Sequence, residues 1–310
     1  MNNRKAFTIV ELLIVVTIIA LLLGILLPSI NMVRTKAKET AQKAQFATID
    51  MALEAFKQDY GDYPPSGRFE GFSTTGLPYN GGQKLTEALL GWDLAGFHPK
   101  TVWRRDGLDA SNDKYTYDPY RVDGTRTLTE RKGPYLEAAK TPVFRLGTSS
   151  ATANDGLYNS ATNINFAAFN STVPNYVICD VFGVKKLTDS NSTKTAGTPV
   201  LYYKADTSYK TFTCLPLKWP YSIYKYTDNI DLINLGILPK GIQSDGSNSH
   251  ALAGNGGRNF CDAYKIVDTR VPIVSTGTSP GSWPNRPDTY LLISAGADHQ
   301  FGTNDDILNF

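Results

Sequence analysis

Residues 7–27, FTIVELLIVVTIIALLLGILL, form an apolar run with one ionisable side chain, Glu11, and follow a short basic leader, MNNRKA. At about 1.5 Å per residue a helix of this length covers roughly 30 Å, the hydrocarbon thickness of a bilayer. Leu, Ile and Val dominate, and Thr8, Thr17 and Gly24 are mild interruptions. Insertion is therefore favourable despite a carboxylate that costs on the order of 2.5–3.5 kcal/mol at mid-bilayer, and less near the end where Glu11 stands. A carboxylate in such a segment is a functional residue by default, and the first question is what cation neutralises it.

A new amino terminus answers that question. A cut between Ala6 and Phe7 places the Phe7 α-amino group one helical turn from Glu11 on the same face. Glu11 can then pair with its own terminus or with that of a neighbouring copy. The second pairing sets the axial register of an assembly, because a buried charge left without its partner costs roughly 3–5 kcal/mol.

The basic leader, Phe7, the Thr-Ile-Val-Glu-Leu-Leu that follows and the long apolar run resemble the class III signal of type IV pilins and type II secretion pseudopilins. Arg4, Lys5, Phe7, Glu11 and Pro28 carry the resemblance, and Ala6 departs from it, since that family usually has glycine before the cut. The resemblance implies cleavage between Ala6 and Phe7, N-methylation of Phe7 and a role for Glu11 in assembly. It also implies partners: copies of the chain and other pseudopilins, a prepilin peptidase, an inner-membrane assembly platform with its ATPase, and membrane lipid. A secretory signal peptide fits less well, having a shorter apolar core and a small-residue cleavage site that Leu26-Leu27-Pro28-Ser29 does not offer. An ordinary single-span anchor explains the length but not Glu11. Arg4 and Lys5 on one side face Arg34, Lys36 and Lys38 on the other, so charge bias leaves the orientation open.

From Ser29 to Tyr60 the chain lacks Gly and Pro and is rich in Ala, Lys, Glu and Gln, which predicts a continuing helix. Phe46, Ile49, Leu53, Phe56 and Tyr60 form a stripe spaced by three and four, flanked by polar Lys43, Asp50 and Lys57. Such a stripe packs on a core, and Gly61, Pro64 and Pro65 end the helix. About 250 residues follow, enough for one large or two modest domains at roughly 100–200 residues each. Turn-rich composition marks 61–83 and 147–200 as loops. Tyr176 to Val181, Pro199 to Tyr203, Thr211 to Leu217, Lys265 to Val267 and Tyr290 to Ser294 read as strands. The expected fold class is α+β: a leader over 1–6, a membrane or filament-core helix over 7–28, an amphipathic stem over 29–60, and a head over 61–310 built on an antiparallel sheet with long loop insertions.

Gly61-Asp62-Tyr63-Pro64, the segment Leu85 to Leu90, Gly133-Pro134-Tyr135-Leu136, Asp180-Val181-Phe182-Gly183 and Pro199 to Tyr203 follow one another as in the head of major pseudopilins, which they resemble more loosely. Insertions around 92–132, 143–175 and 204–285 depart from it. Net charge is +2 with scattered basic residues, which gives no nucleic-acid footprint. Cys179, Cys214 and Cys261 are too few for a metal cluster or a disulfide framework, and leave open one bridge plus a free thiol or three buried thiols.

Near the C-terminus, residues 294–309 concentrate Asp298, Asp305 and Asp306 among glycines, a hydroxyl and amides. These carboxylates repel one another unless they are solvated or bridged by a cation, and calcium suits the composition because it takes about six to eight oxygen ligands in flexible geometry. The segment resembles the calcium loop of major pseudopilins. That resemblance assigns ligands to Asp298, Asp305 and Asp306, and more loosely to the carbonyls of Ala295 and Gln300 and the Thr303 hydroxyl. A polar turn without an ion is the alternative.

Catalytic readings find little support. His98, His250 and His299 stand apart in the sequence, as surface or hydrogen-bonding residues. Gly254-Asn255-Gly256-Gly257 lacks the Lys-Ser/Thr of a phosphate loop and reads as a turn. Asp106, Asp109, Asp113, Asp118 and Asp123 read as a solvated loop. The expectation is a non-enzymatic filament subunit, inserted in a bacterial inner membrane with its head in the periplasm and acting in protein secretion. A membrane-tethered periplasmic binding protein that never polymerises is the competing class, and a tethered enzyme comes third.

Overall fold

The computed structural model describes residues 8–68, 79–108, 116–117, 127–149, 153–159, 175–189, 192–209, 212, 222–243, 245–254, 257–264, 266–267 and 282–310. The chain forms two compact units, Met1–Ala41 and Gln42–Phe310. Helix α1 (Ile9–Tyr60) is helical throughout, Gly24 and Pro28 included. It ends where Gly61 takes φ 85° and donates its N–H to the Lys57 carbonyl at 2.7 Å, the left-handed cap glycine supplies most readily. The unit boundary falls inside the expected stem, because burial begins only at Gln42.

In the second unit α1 presents Phe46, Ile49, Ala52, Leu53 and Phe56 to one core cluster, as their spacing predicts. The Phe56 and Phe97 rings meet edge-on at 5.0 Å. Two amides fix the helix axially: Gln42 Oε1 accepts the Val181 N–H and Gln45 Nε2 donates to the Cys179 carbonyl, both at 2.9 Å. Helix α2 (Gly81–Leu90) is buried along its whole length. It begins with two glycines inside a stretch whose composition reads as loop. Packing gives the reason, since a Cβ on Gly81 would lie 2.2 Å from the Tyr202 carbonyl oxygen, and one on Gly82 2.7 Å from that of Val200. Asn80 and Gln83 close a capping box, and Gly82 N–H donates to Asn229 at 2.9 Å. Glycine here is a close-approach residue, not a turn signal.

After the short α3 (Thr127–Glu130), the strands are β1 (Val143–Gly147), β2 (Gly156–Tyr158), β3 (Tyr176–Ile178), β4 (Lys185–Asp189), β5 (Ser192–Ala196) and β6 (Leu201–Lys204). Helices α4 (Ile230–Asn234) and α5 (Arg258–Tyr264) precede β7 (Ile266–Val267), β8 (Ser282–Trp283), β9 (Tyr290–Ser294) and β10 (Ile307–Leu308). They pair as β2-β1-β3, β10-β9-β6 and the ribbons β4-β5 and β7-β8. Tyr290 to Ser294 forms over its whole expected length, Tyr176 to Val181 and Lys265 to Val267 are shortened, and Pro199 to Tyr203 is found as Leu201–Lys204; Thr211 to Leu217 lies, apart from Phe212, outside the described residues. The expected antiparallel sheet is divided and partly mixed, since β1 and β2 run parallel, with Gly156 packed against the Gly147 backbone too closely for a side chain. Within 147–200, read as loop apart from the strand expected at Tyr176 to Val181, the chain also forms β2, β4 and β5.

The sheet β10-β9-β6 lies between two cores. Tyr202, Tyr290 and Leu292 join the cluster that holds the stem, while Leu201, Tyr203, Leu291 and Ile293 join a second cluster with Leu232, Leu252 and Phe260. Period-two alternation thus buries both faces, which is why these strands read as continuous apolar runs. The insertion over 204–285 supplies much of the second core. Cys179 is a buried free thiol and Cys261 is disulfide-bonded, which selects the bridge-plus-thiol arrangement; Cys214 lies outside the described residues.

Candidate functional site

The first unit carries the apolar surface. Every described side chain from Ile9 to Leu26 is exposed, from 83% for Ile9 to 47% for Val15 among the large apolar ones. Ala6 and Phe7, the expected cleavage pair, lie outside the described residues. Glu11 sits in the first turn of α1, where its Oε2 accepts Thr8 N–H at 3.0 Å and Thr8 Oγ1 at 2.8 Å, and its own N–H donates to Thr8 Oγ1 at 3.3 Å. Thr8-Ile9-Val10-Glu11 is therefore a reciprocal capping box. The signal T-x-x-E was present in the sequence and the reading of Glu11 as a pure charge partner passed over it. The cap supplies hydrogen bonds but no countercharge.

The second unit carries the C-terminal loop. It leaves β9 at Ser294, turns through Gly296–Asp298, takes the left-handed region at His299 (φ 61°) and returns as β10. Asp305 Oδ2 accepts Asp298 N–H at 3.0 Å, Asp298 Oδ1 accepts Gln300 N–H at 2.8 Å, and Thr303 Oγ1 donates to Asp305 Oδ1 at 2.6 Å and lies 3.1 Å from the Gln300 carbonyl. Asp298, Gln300, Thr303 and Asp305 thus converge. Gly296, at φ 67°, approaches the Asp305 backbone too closely for any side chain, and Ala295 is buried beside it. Asp306 turns the other way: its Oδ2 accepts Tyr264 Oη at 2.5 Å and Gly302 N–H at 2.8 Å, while its Oδ1 is buried without a hydrogen-bond partner among the described residues. No three acidic, His or Cys side chains form a ready metal cluster among the described residues.

Burial pushes the Asp306 carboxyl up to about 7, against the pull of its Tyr264 and Gly302 donors. Burial also raises Asp298, with the Asp305 charge adding to it, while the Thr303 hydroxyl and the Asp298 N–H outweigh burial at Asp305 and hold it low. This loop gathers more negative charge than its own donors balance.

Long-range partners of the loop were invisible in the sequence. His250, buried, accepts the Phe301 N–H at 3.2 Å through Nδ1, and Tyr264 reaches Asp306 across 42 positions. Asp180 Oδ2 accepts Ser294 Oγ at 3.1 Å at the loop's root. From the stem, Asp50 accepts Tyr290 Oη at 2.7 Å and Asn309 Nδ2 at 3.3 Å, one residue at each border of the loop segment. His98 is likewise buried, its Nδ1 accepting Lys100 N–H at 3.2 Å. Asp106 pairs with Arg104 at 2.6 Å, and Asp109, Asp113, Asp118 and Asp123 lie outside the described residues.

Residues 1–27 match the prokaryotic N-terminal methylation motif. The chain is 36% identical over 63 residues to the type IV wide pilus major component PilA4 of Thermus thermophilus, a match covering 20% of this chain and 48% of that protein. The chain thus spans about half the length of the curated relative it matches. No solved structure matches the chain. An apolar helix long enough to cross a membrane, headed by this motif and accompanied by the PilA4 likeness, makes the chain pilin-like, with a class III signal at its N-terminus.

Proposed function

We propose that the chain is a non-enzymatic subunit of a pilus-like filament, inserted in the inner membrane by residues 7–28, cut between Ala6 and Phe7, methylated at Phe7 and drawn into a helical core with its head in the periplasm. The observation that carries this reading is the exposed apolar surface over Ile9 to Leu26, with Glu11 its single carboxylate, in the first turn of α1 and within the methylation motif. Thr8 satisfies the hydrogen bonds of Glu11 and leaves its charge, so the methylated amine of an adjoining copy completes the ion pair as each subunit seats. Peptidase, assembly platform and ATPase supply the chemistry. Type II protein secretion is the process this reading assigns, on the resemblance of the head to major pseudopilins.

The C-terminal loop fits calcium. Asp298, Asp305, the Thr303 hydroxyl and the Gln300 carbonyl are hard oxygen donors already gathered, and Asp306, the third carboxylate the resemblance names, would have to turn from Tyr264 to join them. The Ala295 carbonyl completes the set the resemblance names. The ion would supply the charge the loop lacks and hold β9 to β10.

Two measurements test the proposal. Mass spectrometry of the mature protein should find an N-methylated Phe7 as first residue; an intact MNNRKA leader would sink it. Glu11→Gln keeps an acceptor for Thr8 and removes the charge, so filaments should be lost while membrane insertion persists. Unchanged filaments would refute the pairing, and a chain active without any filament would favour the tethered binding protein.

A further inference from the structure

Two cavities of the head differ in how their charges are spent. The larger, about 330 Å³, has both of its cations taken up by its own acids and is left net acidic: Lys204 pairs with Asp62, Lys225 with Asp206 at 2.9 Å, Ser66 donates to Asp228, and Asp288 also lines it. The smaller, about 200 Å³, lies between β1 and the β4-β5 ribbon and is lined by Val143, Arg145, Asp155, Tyr176, Leu187 and Lys194 among others. Arg145 projects from the central strand of its sheet, and its Nε is buried with no hydrogen-bond partner among the described residues. Lys194 stands opposite Leu187 across the ribbon. Asp155 is the single acid of the lining, and its Oδ1 accepts the Ser149 N–H at 2.9 Å. Two cations share one carboxylate, which already takes the Ser149 N–H and feels the Arg145 charge, so one positive charge is left over; Val143, Tyr176 and Leu187 give the mixed lining its apolar part.

A buried guanidinium donor without an acceptor costs about 1–3 kcal/mol, and the planar fork of arginine matches a carboxylate with two parallel hydrogen bonds. A multiply charged anion meets Asp155, and a fully polar one leaves the walls of Val143, Tyr176 and Leu187 unused. The volume is below the roughly 300–1,000 Å³ of sites for drug-sized ligands, which limits the occupant to about the size of one amino acid. We infer that this cavity binds a carboxylate carried on a compact apolar body, the acid group at Arg145 and Lys194 and the body against Val143, Tyr176 and Leu187. Such a group is offered by a free aryl or branched acid and equally by the C-terminal residue of a polypeptide.

The test uses the full chain in detergent and saturation-transfer NMR with phenylacetate, phenylacetamide, N-acetyl-Gly-Gly-Phe and the C-terminal amide of that peptide. The acids should receive saturation and the amides bind about tenfold more weakly, the effect of losing one charge-assisted contact. Arg145→Gln should abolish the difference. Lys194→Glu, at an exposed position of β5, should weaken acid binding by about tenfold even if the Arg145 variant misfolds. Saturation of phenylacetate alone assigns a small free acid, and saturation that includes the peptide acid assigns a chain terminus. Equal binding of acids and amides, no binding of either acid, or acid binding untouched by Lys194→Glu overturns the inference.

Discussion

The two parts of helix α1 reverse the usual relation between composition and burial. Between Ile9 and Leu26 nearly every residue is apolar and all are exposed, Leu21 at 66% and Ile25 at 68%. Between Gln42 and Tyr60 polar and apolar residues are mixed in about equal numbers, yet Ile49 and Leu53 are essentially inaccessible. The first part is richer in β-branched residues and the weaker helix former, yet both are helical, so the difference in burial lies in what each part has to pack against. The second part has a narrow apolar stripe and a sheet that fits it. The first is apolar on every side, the pattern of a helix that meets lipid or other helices all round. Stability of the head and competence for assembly should therefore separate by position along one helix.

The largest expected effect breaks the comparison outright. Glu11→Gln should eliminate filaments and leave the thermal unfolding of the head where it was. A head destabilised by Glu11→Gln would show that the two parts of α1 do not act separately. Next comes Leu53→Ala, which should lower head stability by about 2–5 kcal/mol in denaturant unfolding, the range for a buried leucine. Its counterpart Leu21→Ala should stay within about 0.5 kcal/mol in the same measurement. Equal losses from the two would refute the division.

The stem stripe was legible because its signal is local: Phe46, Ile49, Leu53 and Phe56 are spaced to one face, and nothing distant is needed to see it. The strand at Tyr290–Ser294 was legible for a similar reason, being an apolar run short enough for a buried strand. Helix α2 was harder, since Gly81 and Gly82 signal a turn in isolation and become helix only because the carbonyls of Tyr202 and Val200 lie against them. In the loop, Asp298 and Asp305 were found by composition, whereas Tyr264, His250 and Asp50 come from elements far away in sequence, and no spacing rule reaches them. Glu11 shows a third case: its capping box was written in four consecutive residues and was hidden by a more dramatic electrostatic reading.

In the second unit acid should act through two buried groups of opposite sign. Burial lowers His250 from 6.5 to about 3, so the unfolded chain binds the extra proton between those values and stability falls as pH drops from 6.5 towards 3. The histidine's own share approaches about 1.4 kcal/mol per pH unit between pH 5.5 and 4.5, read as the difference in unfolding between the parent and His250→Asn. Asp306 opposes it in the ion-free loop: raised from 3.8 to about 7, it makes the native chain the better proton binder in between, so its contribution grows as pH falls through 7. His250→Asn keeps an acceptor for Phe301 and removes the titration, so the difference between variant and parent isolates the histidine.

Calcium sharpens the same boundary by a smaller amount. At about a hundredfold excess over its dissociation constant it should stabilise the head by about 2.7 kcal/mol, measured as the shift in unfolding between calcium and chelator. Asp298→Asn should remove that shift. Asp306→Asn retains an acceptor for Tyr264 and Gly302 and removes a charge that burial disfavours, so in chelator at pH 8 the variant should unfold no earlier than the parent, and in calcium it should unfold earlier. A parent stability indifferent to calcium would leave the loop as a polar turn.

The smallest effect decides what Glu11 is for. Thr8→Ala removes both side-chain elements of the cap and should cost about 1 kcal/mol, confined to fraying of the first turn and visible as faster hydrogen exchange there. It leaves the Glu11 charge in place. If Glu11 serves assembly by pairing with a neighbouring amine, Thr8→Ala filaments form in near-normal amount while Glu11→Gln filaments do not. If instead the cap is its whole purpose, the order reverses: Gln still accepts from Thr8 and assembles, and Ala at position 8 fails. The two substitutions stand one turn apart on the same helix and separate a hydrogen bond from a charge.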